Sequence, residues 1–261
     1  MITIGINPVA FSLGPMEVRW YGIMVALAVV AIIVVALCEA KRVGISQDTV
    51  YSVALWAVIG GVVVSRLVHV IDLWGYYMAN PREIIGTEGL TIYGAILGAV
   101  LAVGIYAWVK KVSFWRLGDI IAPGAVLGQA IGRIGCTING CCYGLPTSLP
   151  WAVTYTHPGS YAPLGMAIHP TQVYFLLWNL TVFGVLWRLR GRLKPEGSLF
   201  LLYLSLYAIG DFGLRFFRAG TPFLFGFQEA QVIGLAALVV AVPWLVVRMH
   251  RASRWEQNRG D

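Results

Sequence analysis

Long apolar runs separated by short polar clusters set the pattern of this chain. Runs of the length a bilayer requires, about 20 residues, fall near 20–38, 50–71, 90–109, 118–136, 170–187, 198–217 and 229–247. They predict an all-α integral membrane protein with seven transmembrane helices. The basic residues between the runs are not evenly shared. Lys41 and Arg42, Lys110, Lys111 and Arg116, Arg188, Arg190, Arg192 and Lys194, and Arg248, Arg251, Arg254 and Arg259 fall on one side, thirteen of the nineteen Lys and Arg. Cytoplasmic loops accumulate such residues, so the N-terminus is expected outside and the C-terminus inside. Residues 1–16 carry no basic n-region and no cleavage pattern, so the first span is expected to insert the chain itself. No internal repeat or low-complexity tract divides the sequence, and residues 1–261 read as a single integral membrane domain.

Two segments on the outer side are longer than a turn. Residues 72–88 hold Trp74, Tyr76 and Tyr77 before Asn80-Pro81, which suits an interfacial segment at headgroup depth. Residues 137–169 contain Pro146, Pro150, Pro158 and Pro163 and cannot form one helix. They read as an extracytoplasmic loop subdomain in which 151–157 alternates as a short strand would. Gly124, Gly128 and Gly132 recur every four residues, as do Gly94 and Gly98, a spacing that serves close helix packing or the approach of a headgroup.

Composition strengthens the membrane assignment: 58% hydrophobic, 12% charged, with a mean hydropathy of +0.74. The net charge of +7 does not point to nucleic acid, because the cations are scattered over loops and tail and form no single face. Membrane lipid is the partner they suit. The charges inside the spans are more informative, since each is costly in a bilayer. Arg133 opens a stretch up to Arg188 with no Lys, Arg, Asp or Glu, and it sits between Gly132 and Gly135 in GRIGCTINGCCYG (132–144). A planar fork of donors there suits bidentate binding of phosphate. Arg66, with His69 one turn away, is a second cation within a span, read as a substrate contact or part of a buried polar network. Asp211 and Arg215 share a helix face, either as a self-neutralising pair or as headgroup contacts, and Arg218 follows at the boundary.

Cys136, Cys141 and Cys142 cluster at the outer end of the fourth span, whereas Cys38 lies near the other side. Their spacing is not a complete zinc pattern, because no fourth ligand lies nearby, so no metal is expected. They read as a disulfide of Cys136 with Cys141 or Cys142, or as structural thiols. No nucleotide or other cofactor motif is present.

FSLGPMEVRWYG (11–22), GLTIYGAILG (89–98), GRIGCTINGCCYG, HPTQVY (169–174) and FFR (216–218) occur in this order. Together they resemble the bacterial prolipoprotein diacylglyceryl transferases over nearly the whole chain. The resemblance implies a multi-pass protein of the bacterial cytoplasmic membrane with an outward-facing active site, acting in lipoprotein biosynthesis. It implies transfer of the diacylglyceryl group of phosphatidylglycerol to the lipobox cysteine of a preprolipoprotein, releasing glycerol phosphate. Arg133 matches the signature arginine and is assigned to phosphate. Tyr21 and Asn139 are assigned to headgroup hydrogen bonding, Gly144 to close backbone approach and His169 to positioning.

The chain departs from the family pattern at several positions. Tyr93-Gly94 stands where the third-span motif has His-Gly, Cys136 where the signature has its first asparagine, and Cys141 where it has glutamate. The usual Arg-x-x-x-Glu is reversed as Asp211-x-x-x-Arg215, and Phe175 replaces an acid. A tyrosine, with an ordinary pKa of roughly 10, is a poor general base. Tyr93 is therefore expected as a hydrogen-bond partner, with the substrate thiol deprotonated by water or through Asp211. The alternative is a transferase-like phospholipid-binding protein that uses another acceptor or lacks catalysis.

Overall fold

The computed structural model describes residues 2–14, 16–85, 89 and 91–257. In chain order the elements are strands β1 (Ile2–Ile4), β2 (Val9–Leu13) and β3 (Met16–Arg19), then helices α1 (Trp20–Val43), α2 (Gln47–Asp72), α3 (Trp74–Ala79), α4 (Ile92–Lys110) and α5 (Phe114–Asn139). Strand β4 (Val153–Tyr155) precedes α6 (Thr171–Leu189), α7 (Ser198–Leu214) and α8 (Glu229–Gln257), with 3-10 turns at Pro81–Ile84 and Arg215–Phe217. Six of these helices are long and apolar enough to cross a membrane: α1, α2, α4, α5, α7 with the turn that follows it, and α8 as far as Ala252. The seventh expected span, α6, has the length at 19 residues but is not among them. Its polar Thr171, Gln172 and Asn179 are buried inside the protein, so its polarity serves internal packing and dilutes its apolar character.

The chain forms two compact units, Met1–Ala36 with Gly118–Asp261, and Leu37–Leu117. In the second unit α2 and α4 approach closely at their glycines. A Cβ on Gly60 would lie 2.7 Å from the Ala102 Cβ and 2.8 Å from the Gly98 oxygen, and one on Gly98 would run into the Gly60 carbonyl. Ser65 Oγ donates to the Thr91 carbonyl at 2.7 Å, and Thr91 Oγ1 donates to that of Ser65. Small residues supply close van der Waals contact where lipid removes any hydrophobic drive for helices to associate. The expected interfacial segment is α3 and the turn after it, with residues 86–88 outside the described part. Arg66 staples this segment: its guanidinium donates to the carbonyls of Ile84 (3.0 Å), Gly89 (3.2 Å) and Glu83, and lies 5.1 Å from the Tyr77 ring centre.

In the first unit the glycine face of α5 meets α1. A Cβ on Gly124 would lie 2.9 Å from the Ile32 oxygen, one on Gly128 2.8 Å from the Ile32 side chain, and one on Gly135 3.0 Å from Met24 Cβ. Gly132 breaks the series, with nothing within 4 Å of its missing Cβ. Ala122, Val126, Val182, Leu186, Leu199 and Tyr203 form the core joining α5, α6 and α7. Asp119 caps α7 from α5, accepting from the amides of Gly197 (2.6 Å) and Phe200 (2.8 Å). It answers the donors a helix start leaves open. The predicted strand within 151–157 is β4, which pairs in parallel with β1, while β2 and β3 form an antiparallel hairpin.

The two glycine environments predict opposite outcomes. Gly98→Leu should cost about 1–3 kcal/mol or more through overpacking. Gly132→Ala should leave stability unchanged or raise it by up to ~1 kcal/mol. Thermal unfolding in detergent measures both, and a stable Gly98→Leu protein would contradict the α2–α4 packing.

Candidate active site

The first unit gathers its unusual groups where α5 ends. Gly140, with φ of 73°, takes the left-handed conformation that closes a helix at low steric cost. The chain then doubles back through Cys141, Cys142, Tyr143 and Gly144. Four sets of hydrogen bonds hold this loop. Gln172 Nε2 donates to the Cys141 carbonyl and Thr171 Oγ1 to that of Cys142, each at 2.9 Å. The Leu145 amide donates to the Phe217 carbonyl at 2.8 Å, and the Ala219 amide to that of Tyr143 at 3.0 Å. Gly144 pairs with Arg218 as an antiparallel bridge. A Cβ on Gly144 would collide with the His169 backbone, so its missing side chain lets residues 144 and 169 pack together.

Arg133 lies about two turns before Gly140, half-buried, with its guanidinium carbon 4.3 Å from the centre of the Phe175 ring. Tyr207, Cys136, Cys142 and Asp211 are the groups within electrostatic reach of it. Among the described residues none hydrogen-bonds or ion-pairs with this guanidinium, so its donors remain available. Phe175, 1% exposed, supplies the ring face that favours a cation there. Phe175, where the resembled pattern has an acid, thus supports the arginine through its ring face.

The Asp211–Arg215 pair is formed, with Nε to Oδ2 at 2.5 Å, and Arg215 also donates to Gln228 Oε1 at 3.2 Å. Among the described residues, Asp211 Oδ1 and Arg218 Nε are buried without a hydrogen-bond partner. Gln228 Nε2 donates to the Arg218 carbonyl at 3.0 Å, which fixes the backbone that carries this second arginine. Arg133 and Arg218 therefore keep donors available, whereas Arg215 is occupied by Asp211 and Gln228.

Tyr21, 41% exposed on α1, lies with its Cα against Gly135, and Arg133 and the three clustered cysteines act on it electrostatically. Asn139 is buried, its Oδ1 accepting from Arg19 at a long 3.5 Å and its carbonyl from the Tyr161 amide. His169 contacts the Tyr174 hydroxyl through Nδ1 at 3.3 Å and packs on Phe217. Tyr155 donates to the Thr137 carbonyl at 2.8 Å. Burial pushes its phenol up, so it remains a neutral donor. Tyr93, at the start of α4, and Arg66 belong to the second unit.

The three thiols are free, with their sulfurs all within 4.8 Å of one another. Cys142 has a φ of 59°, unusual for a residue with a side chain. Its thiol is held well below the usual range, first by hydrogen bonds from Cys136 and Cys141 and then by the charges of Arg218 and Arg133.

The sequence reading assigned no role to Tyr207, Thr171, Gln172 or Gln228. Tyr207 is four residues before Asp211 on the same helix face, a spacing that could have found it. Thr171 and Gln172 lie within the quoted HPTQVY segment, but their carbonyl partners are about 30 residues distant and have no local signature. Gln172→Leu should leave the Cys141 carbonyl without its donor at a cost of about 1–3 kcal/mol. Amide exchange across 140–145 should rise with it; unchanged protection would show that the Gln172 bond does not anchor the loop.

The sequence model of the family described as "Prolipoprotein diacylglyceryl transferase" matches residues 8–247. Relatives named phosphatidylglycerol–prolipoprotein diacylglyceryl transferase include one from Dehalococcoides mccartyi, 43% identical over 99% of this chain and 100% of the relative. Another, from Trichormus variabilis, is 36% identical over 93% of this chain and 90% of its own. One from Clostridioides difficile is 36% identical over 88% and 91%.

Proposed function

The chain belongs to the prolipoprotein diacylglyceryl transferase family, and from that premise we propose that it transfers the diacylglyceryl group of phosphatidylglycerol to the cysteine thiol of a prolipoprotein. It is a multi-pass protein of the bacterial inner membrane. The observation that carries the reading is Arg133, held over Phe175 with its donors unclaimed at the end of α5. The acceptor thiol is that of the lipobox cysteine, which attacks the glyceryl carbon bonded to phosphate. As the carbon–oxygen bond breaks, a phosphodiester monoanion becomes a phosphomonoester dianion. Fixed guanidinium groups aimed at that growing charge lower the barrier. Arg133 and Arg218 are assigned this role.

Tyr21 and Asn139 are assigned headgroup hydrogen bonding, and Gly144 and His169 the placement of the loop. Asp211 is assigned the thiol proton, reached through water, because its Oδ1 is buried and unpartnered. Arg215 holds the Asp211 carboxylate in place. Arg66, whose donors go to the carbonyls of Glu83, Ile84 and Gly89, is assigned to substrate binding, and Tyr93 is assigned a hydrogen-bonding role. Thirteen cations on one side support an outward N-terminus and an inward C-terminus, with α6 as the seventh crossing. In that orientation residues 137–169 and Arg133 face outward, where the lipoprotein precursor arrives. The scattered cations suit anionic lipid, and the reading involves no nucleic acid.

The test is mass spectrometry of a lipobox peptide incubated with the purified protein and phosphatidylglycerol in detergent. A diacylglyceryl mass on the cysteine is expected; its absence, with folded protein and an active control enzyme, would refute the reading. Arg133→Ala should lower the rate by at least ~100-fold without loss of fold, and Arg133→Lys should recover little because a point charge lacks the fork. Wild-type turnover in the alanine variant would remove Arg133 from the mechanism. Tyr93→Phe should slow transfer about tenfold, the equivalent of roughly 1.4 kcal/mol. An unchanged rate would make its hydroxyl dispensable.

A further inference from the structure

The sequence argued against a metal because three cysteines with the spacing Cys-x-x-x-x-Cys-Cys lack a fourth ligand. Folding brings the three into one cluster. The Sγ atoms of Cys136, Cys141 and Cys142 all lie within 4.8 Å of one another. Thiolates about 2.3 Å from a shared tetrahedral ion are separated by about 3.8 Å. A contraction of at most about 1 Å would bring all three into one coordination sphere.

The surroundings prepare these sulfurs as a set. Cys136 is held by α5, and the carbonyls of Cys141 and Cys142 are tied to the first turn of α6 by Gln172 and Thr171, both buried. Thr137, one residue after Cys136, has its carbonyl tied to the buried Tyr155 hydroxyl, which Gln172 also contacts at 3.4 Å. Such supports orient metal ligands in advance. Cys142 occupies the left-handed region at φ 59°, where a side chain costs more than glycine does. That strained backbone directs its sulfur to the other two. Cys136 is buried, but Cys141 and Cys142 are only partly covered, which leaves an approach from outside.

We propose that Cys136, Cys141 and Cys142 form a three-thiolate site for one thiophilic divalent ion of the zinc class, whose fourth position receives the substrate thiol. A zinc ion with three thiolates carries one net negative charge, and a fourth thiolate makes it two. Arg133 and Arg218, both within electrostatic reach of Cys142, offset that charge. Three protein ligands with an exchangeable fourth position are the arrangement of catalytic zinc. Thiols coordinated to such an ion are deprotonated.

The inference rests on the transferase reading and gives it a means of activating sulfur. On coordination the substrate thiol releases its proton to water, along the route that ends at Asp211 Oδ1. The bound thiolate then forms the sulfur–carbon bond while the carbon–oxygen bond to phosphate breaks. The electron pair of the broken bond leaves on the phosphate oxygen. The product is a neutral thioether, a far weaker ligand than a thiolate, so it departs and reopens the fourth position. No electron is transferred to or from the ion.

The full chain in detergent, stripped with a chelator, is titrated with cobalt(II) alone as a spectroscopic stand-in for zinc. A thiolate-to-cobalt absorption band saturating at one equivalent is expected, with zinc displacing it and three of the four thiols protected from a thiol reagent. Cys38→Ser should keep the band, and the triple Cys136→Ser, Cys141→Ser, Cys142→Ser variant should lose it. A lipobox peptide should shift the cobalt spectrum, and the same peptide with serine for cysteine should not. The absence of stoichiometric binding to the wild-type protein, or a band that survives in the triple variant, would overturn the site. Thiol protection in the wild type decides the matter if the triple variant does not fold.

Activity separates the two readings. Stripping should lower diacylglyceryl transfer at least tenfold, and one equivalent of zinc should restore it. Full transfer by the stripped protein would overturn the catalytic ion and leave the transferase reading intact. A zinc-loaded protein that takes up the peptide thiol yet transfers nothing would uphold the ion site and overturn the transferase reading.

Discussion

A guanidinium with no direct ion-pair partner among the described residues, held half-buried at the end of an apolar helix, is the constraint on which the rest of the site depends. Desolvating such a cation costs several kcal/mol, and the Phe175 ring at 4.3 Å returns about 0.5–2 of them. The remainder is reduced by partial exposure and by the polar groups within reach. The consequence is a cation that gains most when an anion arrives. Pairing it with a carboxylate would have relieved the free protein and reduced that gain. The glycine contacts between α5 and α1 fix the helix that carries Arg133. The bonds from Thr171 and Gln172 and the pairing of 143–145 with 217–219 fix what surrounds it.

The reversed ion pair on α7 follows the same logic. Asp211 and Arg215 are one turn apart, and acid before base is the order that suits the helix dipole. Their position matters as well. Placing the cation at 215 moves positive charge one turn nearer the 217–219 segment, where Arg218 bridges to Gly144. Gln228 supports both arginines, accepting from the Arg215 side chain and donating to the Arg218 carbonyl. The reversal therefore concentrates positive charge beside the loop, while Asp211 is left with one oxygen unpartnered.

Much of this was legible in the sequence for physical reasons. Six spans announce themselves because a bilayer demands an unbroken apolar run, and Arg133 stands out because a charge in such a run is costly. The strand at Val153–Tyr155 was visible in its alternation. The character of α6 was harder to read, because Gln172 and Asn179 are buried against protein, and hydropathy cannot distinguish that from exposure to water. Arg66 resembled a ligand-binding cation, yet its donors go to carbonyls 17 to 23 residues away. The arrangement of the thiols was the hardest to read. The sequence places them together at the end of α5, and the turn through Gly140 and Cys142 brings their sulfurs within 4.8 Å of one another.

The absence of the family's histidine is less damaging than it first looks. A thiol with an ordinary pKa near 8.5 is about 3% ionised at pH 7, so complete deprotonation gains at most roughly 30-fold. Part of that is lost again, because sulfur becomes less nucleophilic as its pKa falls. By contrast, one well-placed donor on a developing oxyanion is worth about 100- to 1,000-fold, and this site offers two guanidinium groups. The barrier therefore lies mainly with the departing phosphate and only secondarily with the attacking thiol. A chain that keeps Arg133 and Arg218 free can exchange its means of activating sulfur without losing the reaction. That asymmetry suits a chain that differs from the pattern it resembles at Tyr93, Cys136, Cys141, Phe175 and the 211–215 pair and matches it at Arg133.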